Sequence, residues 1–131
     1  MEINEKIKIR VRYSETDKMG FVYYGKYAEY FEVARVELLR KSGVIYSELE
    51  DLNIGLPVKK LNIDYLKPAF YDEELIIYTS LELSLPSSLD FKYITTNSKK
   101  ETLNTAITTL VAIDLKTKRP IKIPKVISEL F

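Results

Sequence analysis

Apolar residues recur at spacings of three and four along residues 24–43, and this periodicity predicts one long amphipathic helix. The predicted apolar stripe comprises Tyr27, Ala28, Tyr30, Phe31, Ala34, Leu38 and Leu39. Gly43 follows a basic last turn and is suited to a left-handed helix stop. A helix of about five turns gains most of its stability from tertiary burial, so we expect a large surface opposite the stripe.

Five segments alternate between apolar and polar residues, which is the period of a β-strand with one buried face. They span residues 6–13, 58–66, 72–85, 89–96 and 102–115. The apolar face of the first comprises Ile7, Ile9, Val11 and Tyr13, and we expect it to meet the core. The turns after Phe70 are too short for parallel crossovers, so the predicted sheet is mostly antiparallel. One long helix on such a sheet defines the α+β class.

Two local patterns refine this picture. The last strand has Leu103, Thr105 and Ile107 on one side and Ala106, Leu110 and Ala112 on the other. Because both sides become apolar, we predict that the end of this strand is covered on both faces. Residues 45–53 carry a shorter helical pattern, in which Ser47 and Glu50 have the spacing of an N-terminal capping box.

The turn before the long helix is where we expect chemistry. Asp17, Gly20 and Gly25 surround the aromatic segment 21–24, and glycine permits positive φ or the close approach of another group. Unpaired N–H groups at a helix start favour an anion or a developing oxyanion. A carboxylate just upstream can act as a base or a nucleophile. On spacing alone, however, Asp17 can equally serve only to cap the turn.

Composition narrows the possible chemistry. The chain has 131 residues, a formal charge of +1, and neither cysteine nor histidine. These absences exclude disulfides, thiolate nucleophiles, Ser-His-Asp triads and the usual zinc ligand sets. Acid–base catalysis would therefore have to use the side chain of an Asp, Glu, Lys or Tyr residue. The balanced charge gives no support for nucleic-acid or membrane binding, and no signal-peptide core or membrane span is evident, so we expect a cytoplasmic location.

The chain resembles the hotdog-fold acyl-CoA thioesterases, in the branch that contains 4-hydroxybenzoyl-CoA thioesterase and the thioesterases of the Tol-Pal gene cluster. The resemblance lies in the segments RYSETD (12–17), VYY (22–24), YFE (30–32) and AR (34–35), together with Gly20 and Tyr27. Residues 61–75 and 119–124 are also similar to the family. The resemblance therefore covers nearly the whole chain, which we expect to form one hotdog domain spanning residues 1–131.

This resemblance implies a curved antiparallel sheet wrapped around the helix from about Gly25 to Ser42, and a homodimer or homotetramer with active sites at the dimer interface. The family's acidic residue falls on Asp17, and its oxyanion-binding backbone N–H falls on Tyr24. Gly25 would let the acyl group approach closely. Many relatives have histidine at position 24, and the backbone role survives that exchange because it does not use the side chain.

Other candidate residues carry a plain structural interpretation beside the functional one. Tyr23, Tyr27 and Tyr30 could line the acyl pocket or simply form core. Lys59, with its neighbour Lys60, could meet CoA phosphates or be solvated. Ser88 resembles a position near the CoA end, or is a turn residue. Glu32 is the other candidate acid, either solvated or paired with Arg35.

The resemblance implies hydrolysis of acyl-CoA without a metal or cofactor, with Asp17 either activating water or attacking the thioester carbonyl. Three alternatives stay open. The protein could use acyl carrier protein instead of CoA, it could be a non-catalytic hotdog protein that binds acyl groups or acts as a scaffold, or it could be a dehydratase of the same fold. The dehydratase is disfavoured because such enzymes use a catalytic histidine.

Overall fold

The computed structural model describes residues 3–131 and contains two sheets and three α-helices in that range. In chain order the elements are β1 (Ile3–Arg10), a 3₁₀ turn (Tyr13–Glu15), α1 (Lys26–Lys41), α2 (Tyr46–Asp51), β2 (Ile54–Gly55), β3 (Val58–Tyr65), β4 (Glu74–Leu85), β5 (Ser88–Thr96), β6 (Thr102–Val111), β7 (Ile113–Asp114) and α3 (Lys125–Ser128). No helix among these residues is long and apolar enough to cross a membrane.

The main sheet has five antiparallel strands in the order β1-β4-β5-β6-β3, and one of its faces packs against α1. The centre of this contact is a ring stack between Phe31 of α1 and Tyr93 of β5, whose centroids lie 4.3 Å apart. Fully burying a side chain the size of Phe31 contributes roughly 1.5–3 kcal/mol. The predicted α+β class and the antiparallel sheet are therefore confirmed.

Helix α1 confirms most of the predicted stripe and its stop signal. Six of the seven stripe residues are buried, and Ala28 is the exception, because it faces away from the sheet. Gly43 has φ +93°, and its N–H donates to the carbonyl of Arg40 at 3.0 Å. The N–H of Val44 donates to the carbonyl of Leu39 at 2.8 Å, which completes a Schellman cap.

Two local predictions are wrong, and a third is met only in part. The first strand ends at Arg10, and Tyr13 is 78% exposed, because the Glu15 carboxylate accepts the Arg12 N–H and turns the chain there. The N-cap of α2 is Ile45, so Ser47 lies inside the helix and forms no capping box. At the end of β6 one face is buried, at Leu110 and Ala112, and the other is half-buried, at Val111 and Ile113, so the predicted cover of both faces is met only in part. The short helix α3 was not predicted at all.

Strand β3 forms an edge of the sheet and is unusually open. Seven of its eight residues are exposed, including the apolar residues Val58, Leu61 and Tyr65. A β-bulge between Val58 and Lys60 leaves Lys59 as the extra residue. An exposed apolar edge strand is a surface that proteins usually cover, because its unpaired backbone groups can pair with another chain.

Candidate functional site

Asp17 lies in a tight turn that fixes one of its carboxylate oxygens. Its Oδ1 accepts hydrogen bonds from the N–H groups of Met19 at 3.0 Å and Phe21 at 3.1 Å. The turn closes through Gly20, whose φ of +84° is the left-handed conformation that glycine adopts readily. Among residues 3–131, no hydrogen bond reaches Oδ2. Asp17 therefore caps its turn with one oxygen and keeps the other available for chemistry.

A buried carboxylate ties this turn to helix α1. Glu15 is 7% exposed, and its Oε1 accepts the Arg12 N–H at 2.8 Å and the Tyr30 hydroxyl at 3.0 Å. Its carbonyl oxygen also accepts the Tyr23 N–H at 2.9 Å. Burial raises the pKa of the Glu15 carboxyl, but the hydrogen bonds from the Arg12 N–H, the Tyr30 hydroxyl and the Arg12 guanidinium outweigh it and hold the pKa below its usual value. Glu15 thus joins the Asp17 turn to the residues at the helix start.

The start of α1 presents unpaired donors. The helix begins at Lys26, and no side chain caps it. Within the described part of the chain, the N–H groups of Tyr24 and Gly25 have no hydrogen-bond acceptor. The Tyr65 hydroxyl donates to the Tyr24 carbonyl at 2.9 Å, which is part of the same peptide group as the Gly25 N–H. An unpaired N–H at the positive end of a helix dipole is suited to stabilise a developing oxyanion.

One pocket brings these groups together. A cavity of about 320 Å³ is lined by Asp17, Met19, Phe21, Val22, Tyr24, Tyr27 and residues 65–68. Its walls are largely aromatic and apolar, with the Asp17 carboxylate and Lys67 as the charged groups. A larger depression, of about 530 Å³, lies over β1, β4 and β5 near Tyr78 and Lys92, and none of the predicted site residues lines it. The smaller pocket is therefore the candidate site, because it is lined by the predicted reactive residues and the larger depression is not.

The other predicted residues lie at different distances from this pocket. Tyr23 is half-exposed beside Tyr24, with ring centroids 4.8 Å apart, and the neighbouring hydroxyl raises its pKa. A Cβ added to Gly25 would lie 3.0 Å from the Tyr23 ring, so glycine at this position lets the ring pack closely against the backbone. Lys59, on the edge strand, and Ser88, buried at the start of β5, do not line the pocket of the single chain.

Of the remaining candidates, Tyr27 lines the pocket, whereas Tyr30 and Glu32 do not. Tyr27 lines the pocket with its ring, and burial raises its pKa to about 12. Tyr30 points instead to Glu15, and burial with that carboxylate raises its pKa as well. Glu32 is exposed and makes no ion pair among residues 3–131.

Sequence reasoning missed three residues that shape the site. In the sequence Glu15 is part of the RYSETD motif, and a carboxylate two positions from another suggests that one of them is structural. Tyr65 and Lys67 follow β3 and reach the pocket only because the chain returns there after more than 40 residues. No local signal in the sequence could have indicated that contact.

Comparisons with known proteins agree with this architecture. The profile of the thioesterase-like superfamily matches residues 11–131. YneP of Bacillus subtilis (strain 168) is 33% identical over 125 residues, covering 95% of this chain and 90% of YneP. Acyl-CoA thioester hydrolase YbgC of Escherichia coli O6:H1 is 32% identical over 117 residues, covering 89% and 87%.

A solved structure supports the same conclusion. The DHNA-CoA thioesterase of Staphylococcus aureus superposes with a TM-score of 0.88 at 39% identity, covering 91% of this chain and 80% of the other. This similarity confirms the predicted hotdog fold.

Proposed function

Because the chain belongs to the thioesterase-like superfamily, we propose that it is a thioester hydrolase that cleaves acyl-CoA into a carboxylic acid and free CoA. The observation that carries the proposal is the shared pocket, because Asp17, whose Oδ2 accepts no hydrogen bond among residues 3–131, and Tyr24, whose N–H has no acceptor there, both line one cavity. A carboxylate and an unpaired N–H on one cavity are the two groups that a histidine-free thioesterase requires.

In the proposed mechanism, the thioester carbonyl oxygen accepts a hydrogen bond from the Tyr24 N–H. As the carbonyl carbon becomes tetrahedral, negative charge develops on this oxygen, and the N–H together with the helix dipole stabilises it. Asp17 acts through Oδ2, because the turn holds Oδ1 in place. Collapse of the tetrahedral intermediate expels the CoA thiolate, which leaves without strong acid catalysis.

Asp17 can supply the nucleophile in two ways. As a base, it takes a proton from water while the resulting hydroxide attacks the carbonyl carbon. As a nucleophile, it attacks that carbon itself and forms a mixed anhydride, which water then hydrolyses to the acid and free Asp17. A single-turnover reaction with a radiolabelled acyl group separates the two, since only the second leaves label on acid-quenched protein.

The pocket lining bears on the substrate. Tyr24, Tyr27 and Tyr65 offer aromatic surface to an acyl group, and Tyr23 flanks them. The similar thioesterase of Staphylococcus aureus is named for DHNA-CoA, and YbgC for acyl-CoA in general. We propose an acyl-CoA substrate for this chain, with acyl carrier protein as the alternative carrier.

We further propose that the working form is a homo-oligomer. The open edge of β3 and its exposed apolar side chains support pairing with a second copy. In that arrangement Lys59, which lies on this edge strand, would reach the partner's pocket and could bind a CoA phosphate there. Static light scattering tests this proposal, and a monomer at micromolar concentration would contradict it.

One observation favours a second candidate, a non-catalytic acyl-binding protein. The turn that Asp17 caps would need that residue even without catalysis, because two N–H groups depend on Oδ1. The two candidates differ in what Asp17→Asn does, because an asparagine oxygen can keep the cap but cannot act as a base or nucleophile.

The test is hydrolysis of short, long and aromatic acyl-CoAs, followed by thiol release, which has no background from a protein without cysteine. Asp17→Asn should reduce kcat by roughly 10²–10⁴-fold or more. Asp114→Asn is the matched control, because Asp114 also caps a turn, with Oδ1 accepting the N–H groups of Lys116 and Thr117, and lies outside the pocket. Equal activity in both variants would contradict the role of Asp17.

A further inference from the structure

A long-range hydrogen bond joins the edge strand β3 to the start of helix α1. The hydroxyl of Tyr65, the last residue of β3, donates to the Tyr24 carbonyl at 2.9 Å across 41 positions of the chain. Tyr65 and Tyr24 also line the cavity that contains Asp17. The proposed hydrolysis uses the Tyr24 N–H but does not use this phenol.

The hydrogen bonds of the first turn show which way the peptide groups at the helix start point. The Tyr23 carbonyl accepts the Lys26 N–H at 2.8 Å. The Tyr24 carbonyl accepts the Tyr27 N–H at 3.4 Å, so both carbonyls point along the helix. The N–H of a trans peptide points opposite to its carbonyl, and the peptides of this turn are trans. The N–H groups of Tyr24 and Gly25 therefore both point out of the helix start.

These two N–H groups form a pair of adjacent donors. Neither has a hydrogen-bond acceptor within residues 3–131. Successive free N–H groups at a helix start can bind one anion together, and the helix dipole favours its negative charge. An oxyanion accepts more than one hydrogen bond, so a second donor beside the Tyr24 N–H would stabilise the transition state further.

The Tyr65 hydroxyl acts on the second of these donors, because the Tyr24 carbonyl and the Gly25 N–H belong to one peptide group. Hydrogen bonds in a chain polarise one another, so a bond to the carbonyl makes the N–H of the same peptide a stronger donor. Burial and the neighbouring Tyr24 raise the pKa of the Tyr65 phenol, which therefore keeps its proton at neutral pH. An edge-to-face contact with Tyr27, with centroids 5.8 Å apart, holds the Tyr65 ring.

We propose that Tyr65 is a positioning residue of the active site, which acts through the Tyr24–Gly25 peptide and makes the Gly25 N–H the second donor to the oxyanion. The proposal rests on the proposed thioesterase function and adds one residue and one donor to it. During the reaction the Tyr65 hydroxyl keeps its proton and touches no reacting atom. Its effect should therefore appear in the rate of the chemical step rather than in substrate binding.

Tyr65→Phe tests the proposal, because it removes the hydroxyl and keeps the ring. We expect kcat to fall by on the order of tenfold and KM to change by no more than about twofold, since the lost interaction strengthens in the transition state. Tyr46→Phe is the matched control. The Tyr46 hydroxyl also donates to a backbone carbonyl, that of Leu56 at 3.4 Å, and Tyr46 lies outside the cavity. That variant should keep both constants.

A second experiment tests whether the effect passes through Gly25. Glycolic acid introduced at position 25 by nonsense suppression replaces the amide by an ester, which deletes this N–H and keeps every side chain. Loss of an oxyanion donor typically lowers kcat by about 10²–10³-fold, and we expect a loss of that size. Adding Tyr65→Phe to the ester protein should lower kcat no further, because the donor on which Tyr65 acts is then absent. Losses that multiply would show that Tyr65 acts elsewhere and would overturn the proposal.

The remaining outcomes separate this proposal from the function on which it rests. If Asp17→Asn abolishes hydrolysis while Tyr65→Phe keeps the wild-type kcat, the active site stands and the positioning role of Tyr65 is overturned. A higher KM at unchanged kcat would make Tyr65 a substrate contact and would also overturn that role, as would equal losses of kcat in Tyr65→Phe and Tyr46→Phe. If wild type hydrolyses no acyl-CoA, there is no oxyanion to stabilise, and both proposals fail.

Discussion

The hydrogen bond between Tyr30 and Glu15 offers the sharpest test of how the turn and the helix are held together. Tyr30→Phe removes one hydroxyl and leaves the ring in place. The donor–acceptor distance is 3.0 Å, and both residues are nearly buried. Hydrogen bonds to charged groups contribute about 1.5–3 kcal/mol, so we expect a loss of that order in the free energy of unfolding.

The same variant should also reduce catalysis. Glu15 is two residues from Asp17, and its carbonyl holds the Tyr23 N–H next to the helix start. Loosening this connection would move the carboxylate relative to the Tyr24 N–H, and a misplacement of about 1 Å can cost on the order of 10²-fold in rate. We therefore expect kcat to fall more than KM rises.

Urea unfolding followed by circular dichroism, together with steady-state hydrolysis, measures both effects. The matched control is Tyr93→Phe, which removes a buried tyrosine hydroxyl that bonds the Thr108 hydroxyl rather than a carboxylate. That variant should lose only about 0.5–1.5 kcal/mol and keep its activity. If Tyr30→Phe loses no more stability than Tyr93→Phe and keeps full activity, the connecting role of Glu15 is refuted.

Two further predictions concern backbone strain and pH. Gly20→Ala and Gly43→Ala should each lower the free energy of unfolding by about 1–2 kcal/mol, since both positions have positive φ and open space around Cβ. Only Gly20→Ala should lower the rate of hydrolysis, because the turn at Gly20 holds Asp17. Equal activity in the two variants would contradict this prediction. Because the folded-state pKa of Glu15 is lowered, its stabilisation should be complete above pH 4.5 and lost as pH falls through the folded value. The raised pKa of Tyr27, about 12, means that stability should be lost as pH rises from 10 to 12, and circular dichroism across that pH range should record the loss.

The sequence could predict the elements whose stability depends on local pattern. The stripe of α1 and the face of β5 repeat at the period of their element, and both are buried as expected, with the exception of Ala28. Gly43 stops the helix because only a positive φ fits there. These features depend on neighbours within a few residues, which a single sequence displays.

Contacts between distant segments could not be predicted in this way. Tyr13 alternates correctly with Val11, but a hydrogen bond to Glu15 ends the strand first. In the sequence Asn104 is an ordinary polar strand residue, yet in the structure it is fully buried. The pocket needs the approach of residues 17–27 and 65–68, which depends on how the sheet is ordered.

The measurement that tests the central claim most directly is a crystal structure with an acyl-CoA analogue in which a methylene group replaces the thioester sulfur. The resulting ketone cannot be hydrolysed to release CoA. The account predicts that its carbonyl oxygen lies roughly 2.7–3.1 Å from the Tyr24 nitrogen, with the Asp17 carboxylate facing the carbonyl carbon. An analogue whose carbonyl group binds away from both residues would contradict the proposed active site.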